Sequence, residues 1–222
     1  LNNTNQKPYY LLKYSSVLAN CQHMGRKSIL RNRKEKSKKV EQWTLAILPK
    51  LKTSNLGNLT MDDLALLMKK SKSTIYQYFT TKEEIFEYIT QTRIDNLNTY
   101  KAEIAMEVLQ LNYNYETLAR ILTEGAKDIS SFYLRQLELH YPTAWKIIED
   151  FLFGLLEDLK QFYISGIEGG LFKPISPELL IKLDEYFIMQ LIMDDTFFNK
   201  TQKTLESIIK DYMFLKFEGL MK

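Results

Sequence analysis

Apolar positions recur every three or four residues along most of this chain, and that period predicts an all-α fold of about nine helices. The first helix should run over Lys38 to Leu51, where Val40, Trp43, Ile47, Leu48 and Leu51 form one stripe. Pro49 lacks an amide proton and forces a kink or an early end there. Thr53 to Asn58, with Gly57, is the turn that follows. Thr60-x-x-Asp63 has capping-box spacing, so the threonine hydroxyl can take an orphan amide at the start of a second helix carrying Leu64, Ala65 and Leu67. Ser71 can cap a third helix, Lys72 to Phe79. In it Ile75 and Phe79 share the inward face, while Lys72, Ser73, Thr74, Tyr76 and Gln77 point outward. Thr81-x-x-Glu84 is a second capping box and opens a long helix through Ile85, Ile89 and Leu97.

Beyond Phe86 the pattern stays helical. A break is expected near Tyr100, then segments at Glu103 to Leu111, Tyr115 to Ile129 and Ser131 to Tyr141, the last ended by Pro142. Thr143 to Gly166 is long and apolar, and Gly166, Gly169 and Gly170 punctuate its end. Ser176 can cap a helix from Pro177 to Asp194, and the last helix runs from Thr201 to Met221. Leu180, Leu183, Phe187 and Leu191 form one seam. Leu205, Ile208, Ile209, Tyr212, Met213, Phe217 and Leu220 form another. Both are wide enough for burial from two sides, which suits pairing with a second subunit; a core internal to one subunit gives the same pattern.

Three helix starts within Thr60 to Glu84, with a short basic break between the first two, are the sequence form of a helix-turn-helix. A helical hairpin with polar outer faces would look alike. The wording of the segment goes further: Ser-Lys-Ser-Thr-Ile-Tyr-Gln-Tyr-Phe and then Thr-Lys-Glu-Glu-Ile-Phe, between Ser71 and Phe86, resembles the TetR family of bacterial transcriptional regulators. Ser165 to Leu179 (SGIEGGLFKPISPEL) is similar to the junction before that family's penultimate helix, and Tyr133 to Phe153 resembles one subgroup.

The resemblance implies a three-helix DNA-binding domain at residues 38–84. A ligand-binding and dimerisation domain at 85–222 would pair through its last two helices, about 177–194 and 201–221. The dimer would bind double-stranded DNA at an inverted repeat. Ser71, Lys72, Thr74 and Tyr76 are the candidates for base or phosphate contacts, with Ser73 and Gln77 beside them. Thr60, Tyr78 and Lys82 should grip the backbone. A small hydrophobic or aromatic effector would be lined by Phe132, Tyr133, Trp145, Phe151, Phe153, Tyr163 and Met189, each of which also suits a plain core. One departure stands out. The family's turn between helices two and three contains Gly and then an apolar residue; here Lys69 and Lys70 stand there, and a left-handed Lys69 would cost about 1–2 kcal/mol. Leu66 is also unusually apolar for its position.

Charge agrees with DNA binding. Residues 24–82 hold 14 Lys/Arg against 4 Asp/Glu, a net +10, while residues 83–222 hold 14 against 23, a net −9. Residues 1–37 read as a basic arm outside the fold, with Arg26, Lys27, Arg31, Arg33, Lys34 and Lys36 opposed by Glu35. Met24 is a natural start candidate, which would place 1–23 upstream of it. The single Cys21 allows no internal disulfide; with no apolar run long enough for a bilayer, a cytoplasmic, membrane-free protein is expected. His23 and His140 lack metal-ligand spacing and no catalytic motif appears, so no cofactor, metal or enzyme activity is expected. Asp194-Asp195 and Glu149-Asp150 read as solvated helix charges. The competing readings are a non-sequence-specific architectural DNA binder and a ligand-binding dimer whose DNA head has decayed.

Overall fold

Pro49 decides how the fold begins. The computed structural model describes residues 33–108 and 115–221, with side chains outside 100–119. Within them the predicted first helix divides into α1 (Lys38–Leu45) and a single turn, α2 (Leu48–Leu51). Proline offers no proton to the Leu45 carbonyl and its ring crowds that oxygen, so the chain turns at Ala46 and Ile47. The stripe survives: Val40, Ile47, Leu48 and Leu51 are buried, and Trp43 lies edge-on to Tyr78 and Phe79, 6.1 Å between ring centres in each pair. A 3-10 turn at Leu56–Asn58 leads to α3 (Met61–Leu67), whose capping box is complete: Thr60 Oγ accepts from the Asp63 amide and the Asp63 carboxylate accepts from the Thr60 amide.

α3 ends with Lys69 at φ 53°, the left-handed conformation that the missing glycine makes costly. The Lys69 and Lys70 amides bond back to the Leu66 and Ala65 carbonyls, closing the helix end. Lys70 is half-buried, and Leu66 stands exposed. The third helix is shorter than expected. α4 covers only Lys72–Ile75; Gln77 and Tyr78 then bond three residues back rather than four, so the tail to Phe79 is a tightened turn.

α5 (Lys82–Val108) runs straight through the predicted break at Tyr100, because no Gly or Pro interrupts it. Its start differs too. Thr81 Oγ accepts the Glu84 amide, but the Glu84 carboxylate reaches back to the amide and hydroxyl of Thr80, not of Thr81. The predicted segment at Glu103 to Leu111 is the end of this helix; residues 109–114 lie outside the described residues. So does the predicted arm up to residue 32, Cys21 included.

α6 (Tyr115–Ala126) stops short of Ile129 because Asp128 turns left-handed. α7 (Ser131–His140) is capped by Ser130, and α8 (Pro142–Glu168) starts on Pro142. A Cβ on Gly166 would lie 2.2 Å from the Phe172 ring, so this glycine serves close packing inside α8 while Gly169 and Gly170 end it. α9 (Pro177–Tyr186) is capped by Ser176 and widens into a π turn over Phe187–Leu191. A helix the sequence pattern hid, α10 (Asp195–Thr201), is capped by Asp194 and closed by left-handed Gln202. The last helix, α11 (Leu205–Leu220), therefore begins later than Thr201, on the Thr204 cap. Asp194 and Asp195 are thus not mere solvated charges: Asp195 also pairs with Arg135 at 3.0 Å.

The two seams face inward. Leu180, Phe187, Leu205, Ile208, Ile209, Met213, Phe217 and Leu220 are buried within their own subunit, with Tyr212 stacked 3.7 Å from Phe187. The Asp184 carboxylate binds them together: it accepts from Tyr163 and Tyr212 at 2.8 Å each and pairs with Lys216. Leu183 is exposed instead, as are Leu179 and Tyr186 on the same side of α9 and Phe214 and Leu215 on α11.

Candidate functional site

Sequence makes α4 a platform. Ser71 Oγ accepts the Thr74 amide at 3.1 Å and fixes the helix start, a cap worth about 1 kcal/mol. Ile75 and Phe79 are fully buried beneath it. Their register leaves Ser71, Lys72, Ser73, Tyr76 and Gln77 exposed and Thr74 half-buried. Tyr78 is half-buried against Trp43. Thr60 is exposed, its hydroxyl occupied by the cap.

Two charged partners were invisible in the pattern. Asp62 holds Lys72 at 2.8 Å across the exposed surface. Residues expected in the free arm are docked: Arg33 and Lys36 pair with Glu84 at 2.8 and 3.2 Å, and the Lys34 amide bonds the Gln77 carbonyl at the end of the α4 turn. Burial alone would raise the Glu84 carboxyl, but bonds from Thr80 and Lys36 hold it below its ordinary value. Lys82 is half-buried and donates to the Gly57 and Leu59 carbonyls at 3.0 and 3.2 Å, leaving one N–H of its ammonium.

A cavity of about 110 Å3 lies among α5, α6, α7, α8, the π turn that follows α9, and α11. Tyr133, Trp145 and Phe151 line it. Phe132, Phe153 and Met189 are half-buried elsewhere, and Tyr163 is committed to Asp184. Thr90, Arg93, Ile94, Leu97 and Ile121 line it without having been expected there; no motif marks them, although Arg93 on the apolar side of α5 was a legible anomaly. Arg93 donates to the Gly125 and Lys127 carbonyls at 2.8 and 2.9 Å. Burial lowers its pKa, opposed by Tyr133, Asp128 and Glu124. Burial pushes the Tyr133 phenol up to about 12, so it stays a neutral hydroxyl.

The cavity helix α7 reaches the segment before α3 directly. Tyr141, the residue after it, donates to the Leu56 carbonyl at 2.9 Å and packs 4.1 Å from Phe86. A Cβ on Gly57 would lie 2.7 Å from the His140 ring. Ser130, at the other end of α7, donates to the Lys52 carbonyl at 2.6 Å. Among the described residues no cluster of His, Cys, Asp and Glu could hold a metal, and no helix is long and apolar enough to cross a membrane.

Comparison with known proteins agrees with this geometry. Residues 53–89 match the model of the bacterial regulatory proteins of the tetR family. The chain is 29% identical over 139 residues to the HTH-type transcriptional regulator YhgD of Bacillus subtilis (strain 168), covering 61% of this chain and 72% of that one. It is 30% identical over 105 residues to IcaR of Staphylococcus aureus (strain Newman), the HTH-type negative transcriptional regulator of the biofilm operon icaADBC, covering 46% of this chain and 53% of that one. Its fold is similar to that of the ketosteroid transcriptional regulator KstR2 of Mycobacterium tuberculosis, with a TM-score of 0.55 and 18% identity over 85% of this chain and 97% of that one.

Proposed function

The chain belongs to the TetR family of bacterial transcriptional regulators, and from that premise we propose that it is a repressor whose homodimer binds an inverted-repeat operator in the cytoplasm and releases it when a small molecule enters the cavity. A DNA-binding transcriptional regulator is what the family makes it, and not an enzyme. Residues 38–84 serve as the DNA-binding unit and 85–222 as the ligand-binding and dimerising one, with α5 belonging to both.

One observation carries the operator reading. The fully buried Ile75 and Phe79 anchor α4 from below, so Lys72, Ser73, Tyr76 and Gln77 are offered outward on a fixed turn. Ser71, Lys72, Thr74 and Tyr76 are assigned to bases or nearby phosphates. Thr60, Tyr78 and the remaining N–H of Lys82 are assigned to the backbone. For Lys72 to reach DNA its pair with Asp62 must open, an exchange that is cheap between exposed charges. Repression is supported by the negative regulator among the relatives.

Dimerisation is assigned to the outer face of Leu179, Leu183, Tyr186, Phe214 and Leu215, not to the two seams. Five large exposed apolar side chains on two neighbouring helices are what a self-complementary interface needs. Release is assigned to α7, which lines the cavity with Tyr133 and Leu134 and ends against the turn at Leu56 and Gly57. Selection of bound genomic fragments followed by sequencing tests the whole reading. A shared two-fold sequence with half-sites about one helical turn apart is expected. Equal affinity for operator and random duplexes across a salt series would favour the architectural binder instead.

A further inference from the structure

Among the described residues the cavity wall is apolar except at three side chains. Thr90 and Arg93 stand three residues apart on one side of α5, and Tyr133 enters from α7. Thr90 is 4% exposed, and its Oγ1 makes no hydrogen bond among the described residues. A buried hydroxyl in that state is rare in a native interior and marks a place where a partner belongs. Arg93 spends Nη2 on two carbonyls; a guanidinium carries five N–H donors in a planar fork, so others remain. Among the described residues no Asp, Glu, Lys or His lines the cavity, and Arg93 is the only charge they place in its wall. A positive charge set in an apolar wall favours a negative group on whatever enters. The Tyr133 phenol, neutral at physiological pH, adds a donor and no competing charge.

We propose that the cavity binds a compact monocarboxylic acid, whose carboxylate accepts hydrogen bonds from Thr90 Oγ1 and the Arg93 guanidinium while its apolar body lies among Leu97, Ile121, Trp145 and Phe151. Size sets the body. An apolar cavity of about 150 Å3 admits benzene, so one of about 110 Å3 admits nothing bulkier than a single ring or a short alkyl chain. The inference deepens the effector part of the reading above and gives it a lever. Arg93 ties α5 to the end of α6 through the Gly125 and Lys127 carbonyls. A carboxylate competes for the same guanidinium, and α5 begins at Lys82, beside the helix-turn-helix.

Calorimetric titration of the full chain with benzoate, benzyl alcohol and benzylamine, and with hexanoate, 1-hexanol and hexylamine, tests the charge preference at constant bulk. The acids should bind roughly tenfold tighter than the alcohols, and the amines not at all. Thr90→Val keeps the shape, removes the hydroxyl and should narrow the acids' advantage; Arg93→Gln should abolish it. If Arg93→Gln does not fold, the Thr90→Val titration decides alone. Equal binding by an alcohol or an amine, no saturable binding by either acid, or a Thr90→Val titration like that of the unaltered chain overturns the proposal. Footprinting on selected genomic fragments with the same preparation separates the two claims. A footprint without acid binding removes only the ligand, and acid binding without a footprint removes the regulator reading.

Discussion

In α3 and α4 the polar side chains Thr60, Asp63, Ser71 and Thr74 close hydrogen bonds within a single turn of helix. In the C-terminal bundle the carboxylate of Asp184 in α9 gathers Tyr163 from α8 and Tyr212 and Lys216 from α11. Lys216 also donates to the Leu180 carbonyl and lies 4.4 Å from the Tyr163 ring centre. The first set fixes where helices begin and which side faces out. The second fixes how three helices sit on one another. Burial of the bundle cluster, then the charge and hydrogen bond of Asp184, raise both phenols well above their ordinary range; burial lowers Lys216 against the pull of Asp184. The polar chemistry of the α3 and α4 caps is local and open to solvent, whereas around Asp184 it is long-range and sealed.

The sharpest way to break that contrast is Asp184→Ala. It strands a buried ammonium and should cost about 3–5 kcal/mol, lowering the melting temperature by roughly 10 °C. A melt like that of the unaltered chain would show the cluster to be incidental. Phe214→Asp puts a charge on the outer face and leaves the interior alone, so sedimentation should shift from dimer to monomer while the melt changes little. On the DNA side, Lys72→Ala should weaken operator binding roughly tenfold and random DNA less, whereas Lys82→Ala should weaken both alike. Gel-shift titrations on the two duplexes separate these outcomes; an operator-confined loss for Lys82→Ala would contradict its backbone role. Lys69→Gly should stabilise by about 0.5–1 kcal/mol, the left-handed strain relieved less the added freedom of glycine when unfolded, and raise the melting temperature by about 2 °C.

The smallest effect is in pH. Because Glu84 is held below its ordinary 4.5, its partners stabilise the fold above that value, and the contribution is lost as pH falls through the lower folded value. The gap between the melting temperatures of the unaltered chain and Glu84→Gln should therefore be full at neutral pH and close in acid. A gap that widens in acid would reverse the assignment.

What was legible follows the same division. The caps at Thr60, Ser71 and Ser176 were readable because cap and amide lie three residues apart. The start on Pro142, the left-handed Lys69 and the buried Ile75 and Phe79 were readable for the same local reason. The seams of α9 and α11 were not: period reveals which side of a helix is apolar and says nothing of what covers it. Their residues turned out to pack within one subunit, and Leu183 alone of its seam faces out. α10 was hidden because Asp194 reads equally as a surface charge or a cap, and only the short stretch from left-handed Gln202 to the Thr204 cap separates it from α11. In the cavity, aromatic and methionine content picked Tyr133, Trp145 and Phe151 but also Phe132, Phe153, Tyr163 and Met189, since direction around α7, α8 and the π turn decides which of them looks inward. Asp62 escaped notice because its partner is ten residues away across a turn.

Gly57 sits so near the ring of His140 that one more carbon there would have to push that exposed side chain aside. The ring can turn into solvent, so the firmer tie between α7 and the turn before α3 is the buried bond from the Tyr141 hydroxyl to the Leu56 carbonyl. An alanine at Gly57 would therefore be absorbed by the imidazole, whereas a phenylalanine at Tyr141 would cut the tie itself.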